Sequence, residues 1–86
     1  GTEIGAMVQL SCETDFVAKN EVFRNLAKEI ALQVAATDPA DLTALLAEPF
    51  IKNPDTTIAE LIEEAVQKTG ERIKIGNFAR FELPQK

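Results

Sequence analysis

The spacing of apolar residues changes along the chain, and each spacing predicts a type of element. Residues 4–12 alternate between an apolar and a more polar set, as in a strand with one buried face. The apolar set is Ala6, Val8, Leu10 and Cys12, and the other set contains Met7, Gln9 and Ser11. From Asn20 to Val34 apolar residues recur every three or four positions, which predicts a helix of about four turns with Asn20 as its N-cap.

A second, short helix is predicted next. Asp38 is expected to cap it, and Pro39 suits its first helical position. Residues 49–55 hold two prolines and an asparagine, which predicts a loop. Phe50 and Ile51 interrupt this polar loop, so we expect both side chains to pack beneath it as a small satellite of the core.

The last third of the chain predicts one more helix and then extended structure. Thr57 and Glu60 have the capping-box spacing, and Gly70 is a natural helix terminator. The residues after Gly70 alternate again, interrupted by Gly76-Asn77. This dipeptide fits either a two-residue hairpin between short strands or a bulge within one long strand.

The order β-α-α-α-β predicts an α+β fold, with three helices packed on one face of a small antiparallel sheet. The other face of that sheet is not cleanly polar. Met7 belongs to it, and one of the two alternating sets that contain Phe78 and Phe81 must point the same way. An apolar outer face of this kind is typical of a surface for association.

Composition excludes several classes of function. The chain has nine basic and fourteen acidic residues, for a formal charge of −5, so we expect no direct contact with nucleic acid. The chain has no histidine and a single cysteine, which disfavours a metal site, a cofactor or catalysis by its own side chains. Cys12 is expected to be a small core residue in a reducing compartment. No apolar run has the length of a membrane span.

The connector at residues 12–20 contains the least expected residue, Phe16. Thr14 and Asp15 beside it favour turns and caps, so a polar residue would be typical here. Phe16 is either a staple that packs back on the first helix or a rigid anchor for a pocket of a partner. From the residues alone the staple is favoured.

Three stretches of the chain resemble the elongation factor Ts family, the guanine-nucleotide exchange factors of elongation factor Tu. They are residues 4–20 (IGAMVQLSCETDFVAKN), residues 48–52 (EPFIK), and 69–71 (TGE) running into 78–83 (FARFEL). The stretches occur in the family's order, and the resemblance covers nearly all of residues 1–86. It implies one core domain that acts in the cytoplasm or in an organellar matrix or stroma.

The resemblance also implies how the domain acts. In the family, the tip corresponding to Asp15 and Phe16 enters the GTPase domain, disturbs its magnesium and phosphate sites, and so releases GDP. The implied partner-binding residues are Thr14, Asp15, Phe16, Val17, Thr69 and Gly70. Short members of the family form homodimers through the sheet, and the implied interface is Met7, Phe78 and Phe81. The family's single extended last strand favours a bulge over a hairpin at Gly76.

The sequence departs from the family's pattern in several respects. It shows neither the N-terminal three-helix module nor the helical-hairpin insertion before the Pro-Phe segment. Thr69 replaces an isoleucine, and Gly76-Asn77 replaces a commonly basic pair. An alternative hypothesis therefore stands beside exchange: the fold serves only as a dimerisation or scaffolding domain of a larger translation factor.

Overall fold

The computed structural model describes residues 2–14 and 19–84. Its elements follow the predicted order, with a short hairpin added between the second and third helices. They are β1 (Thr2–Cys12), α1 (Glu21–Thr37), α2 (Leu42–Ala47), β2 (Pro49–Phe50), β3 (Asn53–Thr57), α3 (Ile58–Thr69) and β4 (Ile73–Pro84). The α+β class is confirmed. Within the described residues, no helix is long and apolar enough to cross a membrane.

The main sheet is a two-stranded ribbon of β1 and β4. The strands are antiparallel from the pair Thr2 and Pro84 to the pair Cys12 and Ile73. The register shifts once, because Gln9 pairs with Asn77 and Leu10 with Ile75. Gly76 is therefore the additional residue of a bulge. The bulge predicted at this position is confirmed, and the hairpin alternative is wrong because β4 pairs with β1 along its whole length.

The bulge decides which side chains of β4 face the helices. Residues directly opposite each other in an antiparallel pair share a face, and Val8 is opposite Phe78. Both side chains are partly buried against the core. Phe78 therefore lies on the helix-covered face, on the opposite side of the ribbon from Met7, and its place in a dimer interface stays a prediction. The outer face instead takes Met7 and Phe81, opposite Ala79 and Gly5 respectively.

The core lies between this ribbon and the helices. It contains residues from every helix, from β4 and from the start of the small hairpin: Leu26, Ile30, Val34, Leu45, Phe50, Ile58, Ala65, Ile73 and Ile75. The apolar set of β1 packs against it, which confirms the alternation predicted for that strand. Arg80 ties the ribbon to α1, because its Nε–H donates to the carbonyl of Ala35 at 3.0 Å.

Most predicted helix ends are confirmed. The Asn20 side chain accepts from the amide of Val22 at the start of α1. Both halves of the Thr57–Glu60 capping box are present at the start of α3. Gly70 ends α3 in the left-handed region, with φ of 75°, and its N–H donates to the carbonyl of Val66.

The prediction for residues 38–41 is wrong. Because α1 continues to Thr37, Asp38 serves as its C-cap, with φ of 49° and its N–H donating to Val34. The short helix α2 begins at Leu42 and is capped by Asp41, whose carboxylate accepts from the amide of Ala44 at 2.8 Å.

The predicted loop at residues 49–55 is also wrong in part. Pro49 pairs with Thr57 and Phe50 with Asn53, which makes a small antiparallel hairpin. Phe50 is buried in the main core, whereas Ile51 lies at the turn with 46% of its surface exposed. Only one of the two expected side chains therefore packs inward.

Gln33 is a buried polar residue that joins α1 to this hairpin. It is completely buried. Its amide nitrogen donates to Glu48 and to the carbonyl of Pro49, and its oxygen accepts from the amide of Ile51, all at 3.0 Å. Because an unpaired buried amide is costly, these three bonds fix the position of the connection between α2 and α3.

Candidate partner-binding site

Two segments far apart in sequence meet at one end of the ribbon. Thr14 follows β1, and Glu71 follows α3, 57 residues later. The carboxylate of Glu71 accepts two hydrogen bonds from Thr14, one from its amide at 2.9 Å and one from its hydroxyl at 2.7 Å. The start of the residue 12–20 connector is thus held against the turn between α3 and β4.

The turn that carries Glu71 is itself tightly bonded. The Thr69 hydroxyl donates to the carbonyl of Ala65 at 2.9 Å, and its oxygen accepts from the amide of Glu71 at 3.4 Å. Gly70 between them is exposed, and a side chain at this position would meet no atom within 4 Å. Its positive φ nevertheless favours glycine. The backbone of this turn is therefore exposed to solvent, and the hydrogen bonds at the end of α3 hold it in a defined conformation.

Every polar group of Thr14 has a partner. Besides the two bonds to Glu71, its carbonyl accepts from the thiol of Cys12 at 3.1 Å. Cys12 is half-buried and packs against the core. A residue with its amide, hydroxyl and carbonyl all bonded has little conformational freedom, so the position and direction of the chain at Thr14 are well defined.

The predicted partner-binding residues divide into two groups. Thr14, Thr69 and Gly70 come together at this end of the ribbon, linked through Glu71. Asp15, Phe16 and Val17 lie outside the described residues, so the exposure of Phe16 and the staple alternative both stay predictions. The described chain resumes at Lys19, immediately before the cap of α1.

The second candidate surface, which we call the outer face, is the side of the ribbon away from the helices. Its large apolar side chains are Met7, Phe81 and Leu83, which expose 65%, 42% and 56% of their surface. The Phe81 ring lies over Gly5, because a Cβ atom at Gly5 would be only 2.5 Å from the ring atom Cε2. The outer face is therefore continuous and apolar in its middle part.

Glu71 is the site residue that sequence reasoning missed. It belongs to the TGE stretch of the family resemblance, but nothing in its spacing links it to Thr14, because their contact is a tertiary one. In the described parts of the chain, no three Cys, Asp or Glu side chains cluster in a way that could hold a metal ion. The arrangement presents the backbone of the turn after α3 and the apolar side chains of the outer face to solvent.

The fold and this site define an α+β domain in which the chain after the first strand and the chain after the third helix are joined by the hydrogen bonds between Thr14 and Glu71. The family model described as elongation factor TS matches residues 13–86. The chain belongs to the elongation factor Ts family.

Individual relatives agree with this assignment. Proteins named elongation factor Ts are 34% identical in Heliobacterium modesticaldum, 36% in Nostoc sp. and 35% in Thermodesulfovibrio yellowstonii. These matches cover 96%, 100% and 96% of this chain, respectively. The chain spans 60%, 27% and 64% of the length of the same three relatives.

Proposed function

We propose that this chain is a translation elongation factor module that binds the GTPase domain of elongation factor Tu and accelerates the release of GDP. Residues 1–86 form one core domain for this purpose, acting in the cytoplasm or an organellar matrix. Contact is made by Asp15, Phe16 and Val17, supported by Thr14 and by the turn of Thr69 and Gly70. The chain contributes no catalytic group, because the chemistry belongs to the GTPase.

The meeting of Thr14 with the turn after α3 is the observation that carries this proposal. The two segments that the family resemblance assigns to the partner are separated by 57 residues, yet two hydrogen bonds join them. A surface made from two segments fixed on a rigid base is typical of a binding site. Membership of the elongation factor Ts family supports elongation factor Tu as the partner.

The physical basis of the exchange is differential binding. A rigid aromatic side chain that fills an apolar slot of the GTPase stabilises the conformation that holds nucleotide weakly. Thermodynamic linkage then requires bound GDP to weaken binding of the exchange factor by the same factor. The cycle needs no covalent step, and one chain can act repeatedly.

The direct test is the release of a fluorescent GDP from elongation factor Tu, with and without this chain. We expect faster release that saturates with the concentration of the chain. If the chain binds nucleotide-free elongation factor Tu but leaves the release rate unchanged, the scaffolding alternative is correct.

Phe16→Ala tests the assigned contact residue. We expect stimulation of GDP release to fall by about 30-fold, because aromatic hot spots cost about 2 kcal/mol or more when truncated. The free energy of unfolding should change by only about 0.5 kcal/mol if the ring is exposed. Leu32→Ala is the matched control, because Leu32 is an exposed side chain in the second half of α1. A Phe16→Ala variant that melts much earlier would instead favour the staple.

We also propose that the outer face pairs with a second copy of this chain. Three helices cover the inner face of the ribbon, while Met7, Phe81 and Leu83 stay exposed on the outer one. Burying such a side chain contributes roughly 1.5–3 kcal/mol, and a two-fold axis uses each contact twice.

Sedimentation at tens of micromolar decides whether this pairing occurs. We expect a dimer for the wild-type chain and a monomer for Phe81→Asp, because the new charge would be buried at the interface. Ile51→Asp is the matched control, since Ile51 is similarly exposed but lies on the small hairpin. A wild-type monomer at these concentrations would refute the self-association proposal.

A further inference from the structure

We propose that Glu71 is a positioning residue for partner binding: its carboxylate fixes Thr14 and thereby sets where the partner-binding segment leaves β1. This inference rests on the proposed function and adds a residue to it. Glu71 itself need not contact the partner. Its effect is transmitted through Thr14, the residue immediately before Asp15.

The geometry of the contact favours a specific role over a chance surface contact. The two oxygens of Glu71 serve two different donors of one residue, the amide and the hydroxyl of Thr14, at 2.9 and 2.7 Å. Hydrogen bonds to a charged acceptor are shorter and stronger than neutral ones. The two-point contact restricts both the position and the direction of the chain at Thr14.

We call the two hydrogen bonds between Thr14 and Glu71 the clamp. The backbone that carries Glu71 is held in place by contacts that do not involve Thr14. Glu71 follows Gly70, which ends α3 in the left-handed region, and its own amide donates to the Thr69 hydroxyl. It precedes β4, which is paired with β1 over its full length. The carboxylate is therefore held by elements that do not depend on the partner.

A clamp of this kind lowers the entropy that must be lost on binding. Because Thr14 is already held by Glu71, less of its conformational freedom is lost when it meets a pocket, which raises affinity without adding a contact. Loss of the clamp should therefore raise the concentration of chain needed for half-maximal stimulation of GDP release. The maximal rate at saturation should change little, because the contact residues themselves are retained.

The experiment compares Glu71→Ala, Glu71→Gln and the control Glu63→Ala, an exposed carboxylate change within α3. We expect Glu71→Ala to raise the half-maximal concentration by about tenfold, the scale of one hydrogen bond to a charged group. Glu71→Gln should raise it by about threefold, because the amide oxygen can still accept from Thr14. Glu63→Ala should match the wild type, and the maximal rate should stay within about twofold for all three.

A spectroscopic measurement separates positioning from a general effect on stability. In the wild-type chain, the NMR chemical shift of the Thr14 amide should be that of a hydrogen-bonded donor, and Glu71→Ala should move it towards the value of a solvent-exposed amide. The affinity for nucleotide-free elongation factor Tu should weaken in parallel with the half-maximal concentration.

The outcomes distinguish this inference from the proposal beneath it. If the wild-type chain neither binds elongation factor Tu nor accelerates GDP release, the proposed function and the role of Glu71 in it both fail. If the wild type is active and Glu71→Ala behaves like Glu63→Ala, only the role of Glu71 is overturned. A Thr14 amide that is insensitive to Glu71→Ala would overturn the clamp itself.

Discussion

The two faces of the β1–β4 ribbon both carry large apolar side chains, yet only one of them is covered by helices. The inner face, with Val8, Leu10 and Phe78, is covered by helices and belongs to the core region. The outer face carries Met7 and Phe81, which are largely or partly exposed. A small domain that leaves large side chains uncovered on one side of its sheet has a surface available for a partner.

The difference between the faces has a local cause at Gly76. Without the bulge, strict alternation along β4 would place Ile73, Ile75, Asn77 and Phe81 on the same face as one another. One additional residue reverses the phase, so that Phe78 joins Ile75 on the inner side and Phe81 moves to the outer side. A single additional residue in the ladder thus decides which of the two aromatic residues faces the core and which faces solvent.

The largest expected effect on stability comes from a cavity in the inner face. Ile75→Ala should lower the free energy of unfolding by about 3 kcal/mol, because a buried isoleucine is replaced by a cavity. Ile4→Ala is the matched control: Ile4 shares the inner side of the ribbon but is 47% exposed near the end of β1. Its loss should cost about 0.5 kcal/mol. Urea unfolding at low micromolar concentration measures both, and equal effects would contradict the contrast in burial.

Much of the fold could be predicted because its signals are local. Alternation predicted β1, three- and four-residue spacing predicted α1, and the capping box with its glycine terminator predicted α3. The errors have two causes, one at the end of α1 and one in the small hairpin. Asp38 has the chemistry of an N-cap but ends α1, and the β2–β3 hairpin is too short to show a period.

The site was predicted less completely, because its connections are between distant residues. The resemblance indicated Thr14, Thr69 and Gly70, and the structure brings these residues to one end of the ribbon. The carboxylate that joins them belongs to Glu71, and no spacing in the sequence pairs it with Thr14. Similarly, nothing in the amphipathic pattern of α1 indicates that Gln33 bonds to the hairpin.

A smaller effect should sharpen the role of the outer face. Gly5→Ala places a Cβ atom 2.5 Å from Cε2 of Phe81, so the ring must move off β1. We expect a loss of about 1 kcal/mol in unfolding free energy, together with weaker self-association. Gly76→Ala is the control, because its nearest neighbour, Oε1 of Gln9, is at 3.6 Å and its φ is not left-handed.

The two glycine variants should differ in their effect on the free energy of unfolding, because only Gly5→Ala is expected to lower it. Gly76→Ala should be neutral or stabilising by up to about 0.5 kcal/mol, because alanine reduces the freedom of the unfolded chain. Urea unfolding and sedimentation of both variants provide the comparison. If Gly5→Ala were as stable as Gly76→Ala and associated normally, the Phe81 ring would not be part of a defined outer surface.

The smallest expected effect concerns α3, one of the helices that cover the inner face, and it depends on pH. The pKa of Glu60 is lowered, first by the hydrogen bond from the Thr57 amide and then by that from the Thr57 hydroxyl. A carboxyl group whose folded pKa is lowered stabilises the folded state fully above its unfolded pKa, which is about 4.3 for glutamate. This contribution is lost as the pH falls through the folded pKa.

The stability difference between the wild-type chain and Glu60→Gln should therefore be greatest near neutral pH and shrink in acid. The shrinkage should begin near the ordinary glutamate pKa and be complete below the lowered one. Urea midpoints measured in steps from neutral to acid pH test this, with Glu63→Gln as the control on the same helix. Thr57→Ala removes the hydroxyl donor but keeps the backbone amide, so it should reduce the pH dependence attributable to Glu60 without abolishing it. If the difference in unfolding free energy between the wild type and Glu60→Gln stays constant with pH, the capping box does not favour the ionised carboxylate in solution. The stability of α3 on the inner face would then not depend on this charge.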